Sequence, residues 1–189
     1  SRRPSAGKGA ELPGAVVFAL EGGDAAEFGT AVHELLAQVE WLDAAALDRF
    51  SQAWAERNAA GEEAMACLRA AELAGVWARP AAARAEVWRE RSFEVVLDGV
   101  WVTGIFDRVA VERDAAGRAV RATVFDFKTD RMDAGTDAAA VTARHAGQLN
   151  MYRRVAGMLT GLGVASVGCE LVLTRLRRRV TVPPASEAK

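Results

Sequence analysis

One run of the sequence constrains the fold more than any other. From Val87 to Lys128, apolar residues, many of them β-branched or aromatic, alternate with polar ones, interrupted at Asp98-Gly99 and at the Asp-Ala-Ala-Gly stretch 114–117. Alternation places successive side chains on opposite faces of a strand. A two-residue Asp-Gly loop tolerates the positive φ values of a tight hairpin turn. The segments "EVWRERSFEVVL", "VWVTGIFDRVAVER" and "AVRATVFDFKT" therefore predict three consecutive strands in a meander.

The flanking segments follow a helical period instead. Asp24, with Glu27 three residues on, reads as an N-cap with a capping-box partner, and Phe28, Val32, Leu35, Leu36 and Val39 recur at helical spacing, predicting a helix over 24–40. Alanine-rich stretches at 43–59 and 61–75 predict two more. Beyond Asp130 a polar loop leads to a helix from about Ala140, ended by Gly161 and Gly163. "ASVGCELVLTRL" and "RRRVTV" then supply one or two closing strands. Helices, three strands, a helix and a strand, in that order, predict an α/β fold with a mixed sheet flanked by helices and a helical N-terminal third.

The chain has 189 residues, 51% of them apolar, enough for one sizeable core. No Pro/Gly/Ser-rich linker divides its middle. The expected organisation is a flexible linker at 1–13, a compact domain at 14–182 and a flexible tail at 183–189. A formal charge of -1 removes any global electrostatic attraction to nucleic acid, so a polyanion must be met at a local site. Cys67 and Cys169 lack metal-ligand spacing, cannot hold a four-cysteine cluster and read as small buried hydrophobes in a reducing cytoplasm. No apolar run is long enough to span a membrane and no signal-peptide layout is present, so no membrane partner is expected. "AGKG" at 6–9 is no phosphate loop, because no Ser or Thr follows Lys8.

Against this background "VFDFKTD", Val124 to Asp130, is unusual. In a strand, Asp126 and Lys128 share one face while Phe125 and Phe127 fill the other, so the acidic face reads as the floor of a cleft. "GIFD" ends in Asp107 on the preceding strand, so two carboxylates and an amine converge if the hairpin register cooperates. Hard divalent cations take carboxylate oxygens and waters, and a nearby lysine can orient or deprotonate an attacking water. These are the parts of metal-dependent phosphodiester hydrolysis. His145, Gln148 and Tyr152 stack on one helix face, and His33 shares a face with Gly29, whose missing side chain lets that helix approach the sheet.

"GTAVHELL" (29–36), "GIFDRV" (104–109), "VFDFKTD" (124–130) and "HAGQLNMYRRV" (145–155) together resemble the ordered motifs of the PD-(D/E)XK nuclease superfamily, and within it the RecB and AddA type nuclease domain of bacterial helicase-nucleases. The resemblance implies a restriction-endonuclease-like fold and hydrolysis of DNA, as single strands or unwound duplex ends, with Mg²⁺, for which Mn²⁺ can substitute. It implies His33, Asp107 and Asp126 as metal ligands with the Phe127 carbonyl, Lys128 as the catalytic lysine, and Gln148 and Tyr152 as active-site neighbours that contact DNA. It also implies a helicase motor in the same polypeptide or complex, and a role in double-strand break repair and recombination. Glu90 in "RERSF" matches a glutamate common before the first strand.

Two positions depart from the pattern: His145 stands where an aromatic is usual, and Phe127 where Tyr is frequent. Neither removes a catalytic group. The alternatives are a non-catalytic DNA-binding or docking module of a helicase complex, which the full set Asp107, Asp126 and Lys128 argues against, and a stand-alone nuclease, which the motif-free ends argue against. The arginines of 175–179 read as a solvated strand edge, and the five tryptophans, at 41, 54, 77, 88 and 101, as core.

Overall fold

The computed structural model describes residues 23–133 and 135–185. The expected linker at 1–13 and the last residues of the expected tail lie outside them. Helices α1 (Gly23–Leu36), α2 (Ala44–Ala53) and α3 (Asn58–Arg69) come first, then a 3₁₀ turn at Ala71–Leu73 and the one-turn helix α4 (Ala74–Trp77). Strands β1 (Arg84–Leu97), β2 (Val100–Arg113) and β3 (Ala119–Lys128) follow, then α5 (Ala138–Thr160), β4 (Val167–Leu173) and β5 (Arg178–Thr181). No helix among them is long and apolar enough to cross a membrane.

The helix boundaries have local causes. Asp43 caps α2 by accepting the Ala46 N–H, and Asp137 caps α5 by accepting that of Ala139. Gly161, at φ 75°, closes α5 in the left-handed conformation that glycine adopts without strain. Helix α1 departs from expectation at both ends. Gly23 is already helical, so Asp24 sits inside the first turn, where its charge suits the helix's positive end, and does not cap it. The helix stops at Leu36 and not at Glu40, because the carbonyls of residues 37–40 are taken by arginines of the sheet. The expected helix 61–75 ends at Arg69; Trp77 Nε1 donates to the Cys67 carbonyl and folds the following turn back.

The sheet has strand order β1-β2-β3-β4-β5. The predicted meander is present, with β1–β2 and β2–β3 antiparallel, while β3 and β4 run parallel across α5 and β5 returns antiparallel to β4. Asp98 and Gly99, both at positive φ, turn the first hairpin. Helix α5 covers one face through Phe106, Val109, Val124, Leu149 and Tyr152. Helices α1 to α4 cover the other through Val32, Leu36, Trp77, Phe125 and Phe127. Strand β3 is thus buried on both faces, a correction to the open floor expected from its acidic face. Asp126 is only 3% exposed.

Two irregularities shape the region around Asp107. Trp88 and Val109, and farther along Phe93 and Phe106, all face α5. Between them, consecutive residues in both strands reach α1 and the loop behind it: Arg89 and Glu90 in β1, Asp107 and Arg108 in β2. Pairing lapses there, between Arg89↔Arg108 and Arg91↔Phe106, and Glu90 takes φ 45°. Such a break in the ladder re-aims side chains, as a bulge does. In addition, β2–β3 pairing ends at Arg108↔Phe125, whereas β1–β2 pairing runs on to Leu97↔Val100. The outer parts of β1 and β2 therefore project past β3 as a two-stranded arm. Trp101 on this arm is 62% exposed, which corrects the expectation that every tryptophan is core.

Candidate active site

Helix α1 brings His33 over the break in the ladder. Its Nδ1 lies 3.3 Å from Asp107 Oδ1 and 3.7 Å from Glu90 Oε1. Donor atoms of His33, Glu90 and Asp107 all fall within 4.8 Å of one another, close enough to share one ion. Burial opposes a charge on His33, but hydrogen bonds to Asp107 and Glu90, and their charges, outweigh it and raise the imidazole to about 10. The ring meets that of Phe127 edge-on at 5.9 Å. Gly29 allows this approach: a Cβ there would come within 2.8 Å of Thr129 Oγ1.

Asp107 also joins the strands where they part. Its Oδ2 accepts the Phe127 N–H at 2.6 Å, standing in for the carbonyl that β2 no longer supplies. In an extended strand a residue's N–H and C=O point to the same edge. The Phe127 carbonyl therefore looks toward Asp107, at an edge without a β2 ladder partner.

Asp126 and Lys128 lie on the α5 side of β3. Lys128 Nζ is 2.8 Å from Asp126 Oδ2, an ion pair between two largely buried groups. Burial and the charge of Asp107 push the Asp126 carboxyl above the ordinary carboxylate range, against the pull of Lys128 and His33. Lys128 Nζ approaches Gln148 Oε1 at 3.5 Å, and Gln148 Nε2 donates to the Tyr152 hydroxyl at 3.2 Å. Burial pushes the Tyr152 phenol up to about 12, leaving a neutral hydroxyl at neutral pH. The sequence-derived residues thus form two neighbouring groups: His33 and Asp107, which Glu90 joins, and a chain from Asp126 through Lys128 and Gln148 to Tyr152. Asp126 stands outside the tight His33–Glu90–Asp107 group.

The other basic residues have other partners. Arg175 and Arg177 pair with the buried Glu63, and Arg179 with Glu170, so much of the cluster expected to be a solvated strand edge is tied to acids, and Arg175 and its neighbours form a 3₁₀ turn. His145 is half-buried, and burial together with the charge of Lys128 lowers its pKa. Sequence reasoning missed Arg89 and Arg108. Arg108 is 1% exposed and donates to the carbonyls of Val76, Val39 and Glu40. Arg89 donates to those of Ala37 and Gln38. Facing one another across β1 and β2, they hold the end of α1, and hence His33, at a set height over Glu90 and Asp107. A charged residue directly after Asp107 was the available signal, but its acceptors are backbone carbonyls that no motif displays.

Most of the donors present, carboxylates and a carbonyl at an open strand edge, suit a hard divalent cation, and one imidazole adds a nitrogen to the set. The sharpest sign of fit is the convergence of His33, Glu90 and Asp107 within 4.8 Å near the buried Asp126 carboxylate, because carboxylates gathered this closely repel one another unless cations offset them. A family model described as the PD-(D/E)XK nuclease superfamily matches residues 11–187. No curated protein matches the chain.

Proposed function

The chain belongs to the PD-(D/E)XK nuclease superfamily, and on that premise, which makes it a nuclease acting on DNA with divalent metal, we propose that it is a Mg²⁺-dependent deoxyribonuclease of the RecB/AddA type. Its context in this reading is a helicase-nuclease that resects double-strand breaks for recombination in the cytoplasm, and its compact unit is 14–182. The observation that carries the reading is the convergence of His33, Glu90 and Asp107 within 4.8 Å, beside the buried ion pair of Asp126 and Lys128.

In this proposal His33, Asp107, Asp126 and the Phe127 carbonyl hold Mg²⁺, and Glu90 joins them as a ligand or as the acceptor that orients His33. When bound, the ion polarises the scissile phosphate and makes a bound water a better nucleophile. Lys128 orients the attacking water and offsets charge building on the phosphate oxygens. Gln148 holds the Lys128 amine, and Tyr152 fixes the amide of Gln148 from the floor of the α5 core. Arg89 and Arg108 act at one remove, by setting the height of α1.

Cleavage of single-stranded and duplex DNA with Mg²⁺ or Mn²⁺ tests the assignment. Asp126→Ala and Lys128→Ala should each lower the rate by at least about 10²-fold. Activity that survives either substitution would overturn it. Mn²⁺ titration by calorimetry separates a nuclease from a non-catalytic docking module, which would bind no metal at millimolar concentration.

A further inference from the structure

Among the described residues, the arm formed by β1 and β2 has one covered face and one bare face. Phe93, Val95 and Val102 pack into the core beneath α5. On the reverse side Ser92, Glu94 and Val96 of β1 lie beside Ile105, Thr103 and Trp101 of β2, and all six are exposed. Large apolar groups dominate: Trp101 at 62%, Val96 at 50% and Ile105 at 48% exposure. A shallow hollow of about 560 Å³ opens at the base of the arm, lined by Ser92, Phe93, Glu94, Thr103, Gly104 and Ile105.

This strip continues the candidate active site. Ile105 and Asp107 alternate onto the same face of β2, and Ser92 follows Glu90 in the same way on β1, so the acidic pair under His33 passes directly into the bare strip. Trp101 lies six residues from Asp107, about 20 Å along an extended strand. A DNA strand held at the acidic pair and running outward would lie along this face.

We propose that the bare face of the arm is a stacking platform for the unpaired bases of single-stranded DNA, with Trp101 as its main contact. The proposal rests on the nuclease reading above. An indole face is what an unpaired base stacks on, with no preference for sequence. A duplex hides its base faces and is held through its phosphates, yet the strip carries no cation and one acid, Glu94. A stable protein interface needs some 20–30 residues a side, and the strip offers six. The projecting β2 edge, which has no β3 partner over residues 100–106, leaves room for a strand beside it.

The test uses labelled oligothymidine and a blunt duplex, with binding read by fluorescence anisotropy in EDTA so that nothing is cut. Trp101→Ala should weaken single-strand binding about 10-fold and leave the duplex within about 2-fold, while Trp101→Phe keeps most of the affinity. The melting temperature should not move, because Trp101 is exposed. Equal single-strand binding by parent and Trp101→Ala would overturn the platform, as would an equal loss on both DNAs. A concentration-dependent dimer abolished by Trp101→Ala would assign the strip to a second copy of the chain and also overturn it. Cleavage by the parent with Mn²⁺ tests the nuclease reading separately: Trp101-dependent binding without cleavage would keep the platform and sink that reading.

Discussion

At the scale of single residues, the site sets stability against function. Asp126 is buried near the like charge of Asp107, and burial and that charge outweigh the pull of the Lys128 ammonium 2.8 Å from its Oδ2. Lys128 is less deeply buried and can turn toward water when its partner is lost. In EDTA, Asp126→Asn should therefore raise stability by about 1 kcal/mol in urea denaturation while removing cleavage. Adding Mn²⁺ should reverse the order, because only the parent gains stability from the ion. A variant less stable than the parent in EDTA would show that the pair with Lys128 outweighs the buried charge. The thiols behave oppositely, as inert core. Burial, helped by the charge of Glu63, pushes Cys67 up to about 12, and burial pushes Cys169 up to about 11. Both remain protonated thiols at pH 8, so iodoacetamide should label neither in the native protein and both in urea, as mass spectrometry would show.

At the scale of elements, the site depends on how closely α1 approaches the end of β3. A methyl at Gly29 would meet Thr129 Oγ1 at 2.8 Å, so either α1 lifts or Thr129 turns. Gly29→Ala should lower cleavage roughly 10- to 100-fold with little loss of stability, since a misplacement of about 1 Å is enough for that. Adding Thr129→Ala removes the obstructing hydroxyl and should restore most of the rate; no recovery in the double variant would mean that Gly29 matters for another reason. The break at Glu90 belongs to this scale as well. A non-glycine residue at φ 45° costs on the order of 1 kcal/mol or more, and here it turns two consecutive side chains of β1 toward α1.

At the scale of the whole molecule, the two layers of helices are tied through the sheet by buried arginines. Arg108 joins β2 to the loop after α1 and to α4, between the rings of Trp41 and Trp77. Arg153 joins α5 to the carbonyls of Val167 and Val182. Arg108→Met would leave the Val39 and Val76 carbonyls without their donor in a closed core and should cost about 3 kcal/mol in urea denaturation. The same variant should weaken Mn²⁺ binding even where it remains folded, because His33 loses its fixed height. A variant with lowered stability and unchanged Mn²⁺ affinity would confine Arg108 to a structural role.

Local patterns were enough for much of this. Alternation from Val87 to Lys128 and the Asp98-Gly99 turn specify the meander, helical spacing specifies α1 and α5, and the ordered motifs name the superfamily, because each rests on neighbours within a few positions. Tertiary structure decided what depends on distant partners. Asp126 is roofed by α5, although its alternation suggested an open face, because coverage of a strand depends on what packs over it. Glu90 joins His33 and Asp107 because the ladder breaks in both strands at once, and a break is invisible in either strand alone. Arg89 and Arg108 take their meaning from carbonyls some 30 to 70 residues away. Trp101 is bare because the arm projects past the end of β2–β3 pairing and, among the described residues, no helix covers its reverse face. A sequence displays its side chains and their spacing; which of them are left without a cover or a partner is settled only when the layers close.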